Sequence, residues 1–405
     1  MNARDVASLG QVFTPPAVVS AMLALRRRAG SVLEPSCGDG AFLRHLPGAT
    51  GVEFDPRFAP PGAHIGDFFA WEAPARFDTI IGNPPYVRYK DIPPATRERL
   101  PTDTFDRRSN LYLFFIDRCL DLLAPGGELI FITPRDFLKA TSACGLNRKL
   151  FALGTITHAI DLGDKKSFDD AVPNCLIWRF ERDDFSRRTA FLDAAPFARL
   201  DAVFAAAESG AWETRRFVES GGHVAFPGSA SSVPLADVFA VKVGAVSGAD
   251  EIFTNELCGT HDFVCSRTAT TGRTRRMIWS PAAPPAVLER FRERLLARRI
   301  KPFDESNWWH WGRGWPQTDA PRIYVNHKTR RPEPFFLHPS NNFDGAVLAL
   351  FPHARDADLA ALRDLLNQVD WAEQGFLCDG RYLFAQRALE QAWLPEAFAA
   401  FARRA

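Results

Sequence analysis

The chain has 405 residues, of which 46% are hydrophobic and 24% are charged, so it is long enough for two or three domains with separate cores. Seven cysteines without a Cys-x-x-Cys pair or a Cys/His ligand spacing argue against a disulfide framework and a zinc site. No apolar run approaches the roughly 18 residues of a membrane span, and no signal-peptide pattern is present, so we expect a cytoplasmic protein without a membrane or metal partner.

The charge of the chain is unevenly distributed. Residues 262–331 contain fifteen Lys and Arg against six Asp and Glu, a net +9, and because the whole chain carries +1 the remainder carries −8. Such a basic stretch indicates a face for a polyanion. A solvated charged surface is the alternative explanation.

The first 180 residues alternate short apolar runs with helix-like spacing. Strands are predicted at 31–34, 50–53, 78–81, 129–133, 157–160 and 175–178, and helices at 40–46 and 111–123. Fully apolar strands that alternate with helices form parallel sheets, so this part is predicted to be α/β, a Rossmann-like sheet with helices on both faces. The sequence Ala-Pro-Gly-Gly at 124–127 predicts a stop between the second helix and the next strand.

The remainder of the chain has a different composition. Residues 182–215 are Ala-rich and predicted to be helical, and a Gly/Ser/Pro-rich stretch at 221–234 is predicted to connect two domains. Seven of the ten tryptophans follow it, together with arginine clusters and a helix predicted at 287–299. We therefore predict a first domain at 1–230, with its core at 10–182, and a smaller α+β domain at 231–405.

A glycine turn follows the first predicted strand, in Glu34-Pro35-Ser36-Cys37-Gly38-Asp39-Gly40. Gly38 and Gly40 allow a backbone to approach a ligand closely at the carboxyl edge of the sheet. A tight structural turn explains two glycines equally well. The third glycine of the dinucleotide fingerprint is missing, which argues against NAD.

Two acidic residues follow the next predicted strands. Glu53 ends the second strand, 19 residues after Glu34, where a carboxylate can accept from both ribose hydroxyls. Asp67 could accept from an adenine amino group while Phe68 packs on the ring. Each acid alone could be a surface residue at a strand end, but with the glycine turn they predict a site for an adenosyl cofactor.

The strand predicted at 78–81 leads into Gly82-Asn83-Pro84-Pro85-Tyr86. An exocyclic amino group is a poor nucleophile because its lone pair is delocalised into the ring. Two acceptors on its N–H groups, the Asn83 side-chain oxygen and the Pro84 carbonyl, would stabilise the charge that develops during attack. Consecutive prolines stiffen the loop, and Tyr86 offers a face for base stacking. A proline-rich turn that merely caps a strand explains neither the asparagine nor the tyrosine.

Taken together, these motifs resemble a known family. Asn83-Pro84-Pro85-Tyr86 is similar to the catalytic tetrapeptide of amino-methyltransferases, and the glycine turn, Glu53 and Asp67 are similar to their S-adenosylmethionine motifs. A further cofactor element, Gln11-Val12-Phe13-Thr14-Pro15, precedes them, with Thr14 as a helix N-cap and Pro15 at the first helical position. Cofactor motifs before the catalytic motif, followed by a recognition domain, resemble the gamma arrangement of the TaqI-like adenine-specific DNA methyltransferases.

The resemblance implies a role for each matching position. The cofactor would be S-adenosyl-L-methionine on a Rossmann-like methyltransferase sheet, and the substrate an adenine flipped out of double-stranded DNA. The cofactor-binding residues would be Thr14, Pro15, Glu34, Gly38, Gly40, Glu53, Asp67, Phe68 and Phe115. Asn83, Pro84 and Tyr86 would receive the base, and Phe168 is the candidate for a second stacking ring. The second half resembles the family over 241–253.

Candidate DNA contacts come from two regions. We expect the segment at 88–110 to border the DNA cleft through Arg97, Arg99, Arg107 and Arg108, although an exposed loop is the alternative. In the second domain the candidates are Arg313, Lys328, Arg330 and Arg331, while most tryptophans there are expected to fill the core.

Other substrates and classes remain open. The tetrapeptide also serves enzymes that methylate RNA, cytosine N4 or a protein glutamine, and a DNA-binding module with a decayed active site is the alternative outside enzymes. Asn83 in place of serine favours adenine, and the long C-terminal part argues against the RNA and protein enzymes. The resemblance would place the protein in a restriction-modification system, whose restriction endonuclease is the candidate protein partner.

Overall fold

The computed structural model describes residues 13–101, 105, 109–163, 174–228, 231–279, 282–314, 318–378 and 380–403. The chain divides into two compact units, Met1–Ser229 and Ala230–Ala405. Within the described residues, no helix has both the length and the apolar character needed to cross a bilayer.

The first unit is built on a large mixed sheet. In its described part, nine strands lie in the order β3-β2-β1-β4-β5-β7-β6-β8-β9. Their bounds are β1 Val32–Glu34, β2 Thr50–Glu53, β3 His64–Ile65, β4 Phe77–Gly82, β5 Leu123–Pro134, β6 Gly154–Asp161, β7 Cys175–Arg182, β8 Arg188–Asp193 and β9 Glu213–Arg216. Strands β1 to β5 pair in parallel, whereas β7 runs antiparallel to both β5 and β6.

Helices cover both faces of this sheet. They are α1 Pro16–Ala24, α2 Pro94–Arg97, α3 Leu111–Leu122, α4 Cys144–Leu153 and α5 Leu200–Glu208. Leu129 and Phe131 of β5 pack in one core with α3 and α4, while Ile130 and Ile132 pack in a second core with α1 and α5. Because neighbouring strand residues point to opposite faces, the sheet is buried on both sides. The predicted Rossmann-like sheet with helices on both faces is confirmed.

Several local predictions for this unit are wrong. The helix expected at 40–46 is only a 3₁₀ turn at Leu43–His45, and residues 124–127 belong to β5. The Ala-rich stretch at 182–215 contains β8 and β9 besides α5. The stretch at 221–234 includes part of a hairpin inside the unit, β10 Val218–Ser220 with β11 His223–Ala225. Fully apolar strands look alike in parallel and antiparallel pairs, so the pattern did not predict the reversed direction of β7.

The second unit combines small sheets with short helices, as predicted. Its strands are β12 Ser231–Pro234, β13 Phe239–Val243, β14 His261–Val264, β15 Arg275–Met277, β16 Ile323–Asn326, β17 Lys328–Thr329, β18 Phe335–Phe336, β19 Asn342–Phe343, β20 Val347–Pro352, β21 Leu377–Cys378, β22 Arg381–Leu383 and β23 Trp393–Pro395. Its helices are α6 Leu235–Val238, α7 Asp250–Phe253, α8 Thr268–Thr271, α9 Ala286–Glu289, α10 Arg292–Leu296, α11 Leu359–Gln368 and α12 Gln386–Glu390. The helix predicted at 287–299 is thus broken into α9 and α10.

A four-stranded sheet, β13-β20-β16-β18, lies at the centre of the second unit. Leu348 and Leu350 of β20 face one core and Val347 and Ala349 face another. Tryptophans fill these cores as expected, since Trp308, Trp311 and Trp371 are buried.

Candidate functional site

A cavity of about 940 Å³, counting its open mouth, lies at the carboxyl edge of the large sheet. Open α/β sheets bind ligands at this edge. The residues that line it come from the segment before α1, from the segments at and after the ends of β1, β2, β3 and β4, from the 88–110 segment and from α3. They are Phe13, Pro35, Ser36, Gly38, Glu53, Phe54, Gly66, Asp67, Phe68, Phe69, Asn83, Pro84, Pro85, Tyr86, Val87, Pro93, Thr96, Leu111 and Phe115.

The glycine turn forms one wall of the cavity. Gly38 has φ +50°, a left-handed conformation that glycine adopts without strain, and its N–H donates to Glu53 Oε2 at 2.7 Å. Asp55 N–H donates to the other oxygen, Oε1, at 2.8 Å. The Glu53 carboxylate is therefore held in place by backbone donors while it faces the cavity.

Four of the predicted cofactor residues do not line the cavity. Glu34 is 2% exposed and lies behind the turn, where its Oε2 accepts from the Leu43 N–H at 3.2 Å. Burial raises the pKa of this carboxyl well above its ordinary value. Gly40, at φ +80°, faces Pro60. Thr14 precedes α1, whose N-cap is Pro15 and whose first residue is Pro16, so the predicted N-cap at Thr14 is one position too early. Glu34 and Gly40 therefore contribute to the conformation of the glycine turn and do not face the cavity.

Asp67 presents the second carboxylate of the cavity. Its Oδ1 accepts from the Phe69 N–H at 2.9 Å, and its Oδ2 accepts from the Thr96 hydroxyl at 2.8 Å. Phe68 is buried beside it and stacks on Phe115, with ring centroids 5.0 Å apart. Because Phe68 is so well covered, only a small part of its ring can reach a ligand.

The Asn83-Pro84-Pro85-Tyr86 loop forms the opposite wall. Asn83 Nδ2 donates to Thr14 Oγ1 at 3.3 Å, and the Ser36 hydroxyl donates to the Asn83 carbonyl at 3.2 Å. Tyr86 donates its hydroxyl to the Ile132 carbonyl at 2.9 Å and meets Tyr112 edge to face. Burial raises the pKa of the Tyr86 phenol, so it stays protonated at neutral pH. Side chain, backbone and ring are each anchored to a different part of the unit.

Sequence reasoning gave no site role to several residues of this cavity, among them two phenylalanines and two residues of the 88–110 segment. Phe13 and Phe54 are 43% and 48% exposed, which is unusual for rings of this size, and both line the cavity. Pro93 and Thr96 come from the segment that we expected only beside DNA. The position of Phe54 directly after Glu53 was a usable signal, whereas nothing in the sequence placed Thr96 near Asp67. Phe168 lies outside the described residues.

Part of the chain is similar to known proteins. Residues 62–168 match the Eco57I restriction-modification methylase family. Over that stretch the chain is similar to restriction-modification methylases. It is 37% identical over 155 residues to the Type II methyltransferase M.TthHB8I of Thermus thermophilus, an alignment covering 32% of this chain and 36% of that protein.

A second curated protein is also similar to part of the chain, and one solved structure matches it more distantly. The Type II methyltransferase M.HincII of Haemophilus influenzae is 32% identical over 188 residues, which cover 43% of this chain and 37% of that protein. The chain thus spans little more than a third of these curated relatives. The crystal structure of a type I restriction-modification methyltransferase subunit from Streptococcus thermophilus matches with a TM-score of 0.39 at 16% identity, covering 49% of this chain and 53% of that one.

The candidate DNA-contact residues have different environments. Arg97 donates to the Ile92 carbonyl at 2.7 Å and lies over the Tyr89 ring. Its guanidinium therefore stabilises the 88–110 segment to which it belongs. Arg99 is exposed, and Arg107 and Arg108 lie outside the described residues. In the second unit Arg313, Lys328 and Arg330 are exposed and Arg331 is half-buried.

Part of the basic stretch in the second unit serves the fold. Arg298 and Arg322 are buried and donate to backbone carbonyls. Arg275, Arg276 and Arg294 form ion pairs with Asp250, Asp262 and Glu251, respectively. The excess of +9 therefore overstates the charge that this unit can offer to a polyanion.

Proposed function

We propose that this chain is a DNA methyltransferase that transfers a methyl group from S-adenosylmethionine to the N6 amino group of an adenine. One observation carries the proposal: a single cavity is lined jointly by the glycine turn, by Glu53 and Asp67, and by the Asn83-to-Tyr86 loop. A site for an adenosyl group and a site for a reacting amino group thus share one space. The similarity of residues 62–168 to restriction-modification methylases supports the same chemistry.

The residues around the cavity fit S-adenosylmethionine. The Glu53 carboxylate can accept from ribose hydroxyls, Asp67 can accept from the adenine amino group, and Phe54 offers an exposed ring to the base. The left-handed backbone of Gly38 leaves room for close approach, because among the described residues only the Phe13 ring lies within 4 Å of where a Cβ would stand. When bound, this cofactor supplies a methyl group on a sulfonium sulfur, which is a good leaving group.

Asn83 and Pro84 are assigned to the target amino group. The Asn83 amide is oriented by its Nδ2 donation to Thr14, and its oxygen is the acceptor that we assign to one N–H of the target base. The Pro84 carbonyl is assigned to the other N–H. Two fixed acceptors stabilise the positive charge that develops on nitrogen as it attacks. Tyr86, anchored through its hydroxyl, provides the face on which the base stacks.

The transfer is direct, without a covalent enzyme intermediate. Cys37 lies in the glycine turn, and it is buried. Burial raises the pKa of its thiol to about 12, so it is not a thiolate at neutral pH. This cysteine packs in the turn and does not act as a nucleophile.

Access to a base inside a duplex requires that the nucleotide leave the helix, at a cost of a few kcal/mol. Phosphate contacts can offset part of this cost. We assign such contacts to the exposed Lys328 and Arg330 of the second unit and to Arg99. Phe168 remains the proposed second stacking ring, and Arg313 a proposed contact to base edges or phosphate.

The test is methylation of unmodified genomic DNA with radiolabelled S-adenosylmethionine, followed by nucleoside analysis. Label in N6-methyladenine is expected, and sequencing of the modified DNA gives the recognition site. Label in N4-methylcytosine, or in RNA or protein but not DNA, would refute the proposal. Asn83→Ala is the control: it is expected to bind the cofactor and DNA like the wild type but to transfer no methyl group.

A further inference from the structure

A hydrogen bond joins the acid after β3 to the segment that follows the catalytic loop. Thr96 lies in α2, 29 residues beyond Asp67, and its hydroxyl donates to Asp67 Oδ2 at 2.8 Å. Thr96 is 5% exposed, and both residues line the cavity. The segment at 88–110 therefore contributes to the part of the cavity that contains Asp67.

This contact fixes the Asp67 carboxylate. The Phe69 N–H holds Oδ1 at 2.9 Å and the Thr96 hydroxyl holds Oδ2, so rotation of the carboxylate would break two hydrogen bonds at once. Each carboxylate oxygen has two acceptor sites. An acceptor site therefore remains on each oxygen, and its direction is set by the two protein donors.

The Thr96 hydroxyl is itself held in place. Pro93 and Pro94 open the turn of α2, and the Arg97 N–H donates to the Pro93 carbonyl at 2.9 Å. The Arg97 guanidinium ties the turn to the Ile92 carbonyl. Since proline fixes φ at both starting positions, the hydroxyl is presented from a rigid element.

We propose that Thr96 is a positioning residue that sets the nucleobase selectivity of the cofactor site. The inference rests on the proposed function, in which Asp67 receives the 6-amino group of the cofactor's adenine. A 6-amino group donates to the fixed carboxylate, whereas a 6-oxo base presents an acceptor to it and is repelled. Without the Thr96 hydroxyl, the Asp67 carboxylate can rotate away from the base. The site then binds a 6-amino base less tightly and repels a 6-oxo base less strongly.

The test compares binding of S-adenosylhomocysteine and S-inosylhomocysteine to the full-length protein by titration calorimetry. Thr96→Val removes the hydroxyl at almost constant volume, and the preference for the adenosyl ligand is expected to fall about ten-fold, the effect of one hydrogen bond to a charged group. Thr96→Ser keeps the hydroxyl and is expected to retain the preference within about two-fold. A purely structural role would weaken both ligands equally and leave the ratio unchanged.

The outcomes separate this inference from the proposed function. A wild-type protein that does not bind S-adenosylhomocysteine would overturn both. A wild-type preference that persists undiminished in Thr96→Val would overturn the role of Thr96 alone and leave the cofactor assignment intact. If thermal melting shows that Thr96→Val is unfolded, Thr96→Ala, which adds no bulk, carries the same comparison.

Discussion

Thr14 and Asn83 are 69 positions apart in the sequence, and Asn83 Nδ2 donates a hydrogen bond to Thr14 Oγ1 at 3.3 Å. Thr14 stands at the start of α1, and Asn83 directly follows β4. A residue predicted to bind the cofactor is therefore hydrogen-bonded to the side chain that we assign to the target amino group. If both assignments hold, this contact couples the proposed cofactor and target sites.

Replacement of Thr14 by valine should slow methyl transfer more than it weakens cofactor binding. Valine keeps the shape of threonine but cannot accept the Asn83 hydrogen bond, so the amide loses its orientation. A fall of about ten-fold in the single-turnover rate corresponds to about 1.4 kcal/mol, the order of one hydrogen bond. The dissociation constant for S-adenosylmethionine should change by no more than about two-fold. Thr14→Ser is the matched control, and a wild-type rate in Thr14→Val would contradict this coupling.

Two substitutions at Tyr86 should separate its ring from its hydroxyl. Tyr86→Phe removes the hydrogen bond to the Ile132 carbonyl, so we expect about 1 kcal/mol lower stability but activity within a few-fold of wild type. Tyr86→Ala removes the stacking face, which is worth about 1–3 kcal/mol per base, and kcat/KM for DNA should fall about ten-fold or more. Urea denaturation and steady-state kinetics measure the two effects. Equal activity in both variants would remove the ring from the mechanism.

The sequence was sufficient for the sheet but not for all strand directions. The apolar strands and their order in the chain led to the Rossmann-like architecture because buried strands alternate with helices. They did not reveal that β7 reverses between β5 and β6, since a fully apolar strand carries no mark of its direction. Short helices such as α9 and α10 were merged into one because the apolar spacing continues across the break between them.

The residues of the candidate site could be predicted from the sequence where each one lies at or just after the end of a strand. Glu53 ends β2, Asp67 follows β3 after one residue, and Asn83 directly follows β4. These parallel strands belong to one sheet, so their carboxyl ends share an edge, and sequence position alone suggests that the three residues meet. The role of Thr96 could not be predicted, because its contact with Asp67 depends on how the 23-residue segment at 88–110 folds back. Long connections are the part of a chain whose path local patterns determine least.

Removal of Lys328 and Arg330 should weaken DNA binding without regard to sequence. Both side chains are exposed, and we assign them to phosphates. The slope of log Kd against log salt should then decrease by about 2 in the double alanine variant, near 0.9 per lost phosphate contact. Arg355→Ala, an exposed arginine outside the 262–331 stretch, is the matched control. An unchanged salt slope would exclude both residues from the DNA interface.

Asp344 should make the stability of the protein fall as pH rises. It is buried, its Oδ1 accepts from the Ala346 N–H, and Arg275 is 3.6 Å from its Oδ2. Burial raises its pKa from an ordinary value of 3.8 to about 6. The folded state therefore binds the proton more tightly than the unfolded state, and the stabilisation is present below pH 3.8 and lost as pH rises through 6.

The loss is at most about 3 kcal/mol, at 1.36 kcal/mol per pKa unit. Asp344→Asn retains the acceptor for the Ala346 N–H and does not titrate. The free energy of unfolding of wild type relative to Asp344→Asn should therefore decrease between pH 4 and pH 7. A constant difference across that range would show that Asp344 has an ordinary pKa.

Arg298 should be the most sensitive arginine of the second unit. It is buried, and its guanidinium donates to the carbonyl of Ser247 and to those of Trp308 and His310, which share one turn. Burial lowers its pKa to about 10, so it remains charged at neutral pH and its donors persist. Arg298→Met leaves these buried carbonyls without their donor, and we expect a loss of about 3 kcal/mol or more in the free energy of unfolding. Arg298→Lys keeps the charge but not the planar set of guanidinium donors, and it should recover only part of that loss.

Urea unfolding of the full chain, followed by tryptophan fluorescence, measures both variants, with Arg299→Met as the exposed control. Equal stability of the Arg298 and Arg299 variants would mean that water replaces the guanidinium at these carbonyls.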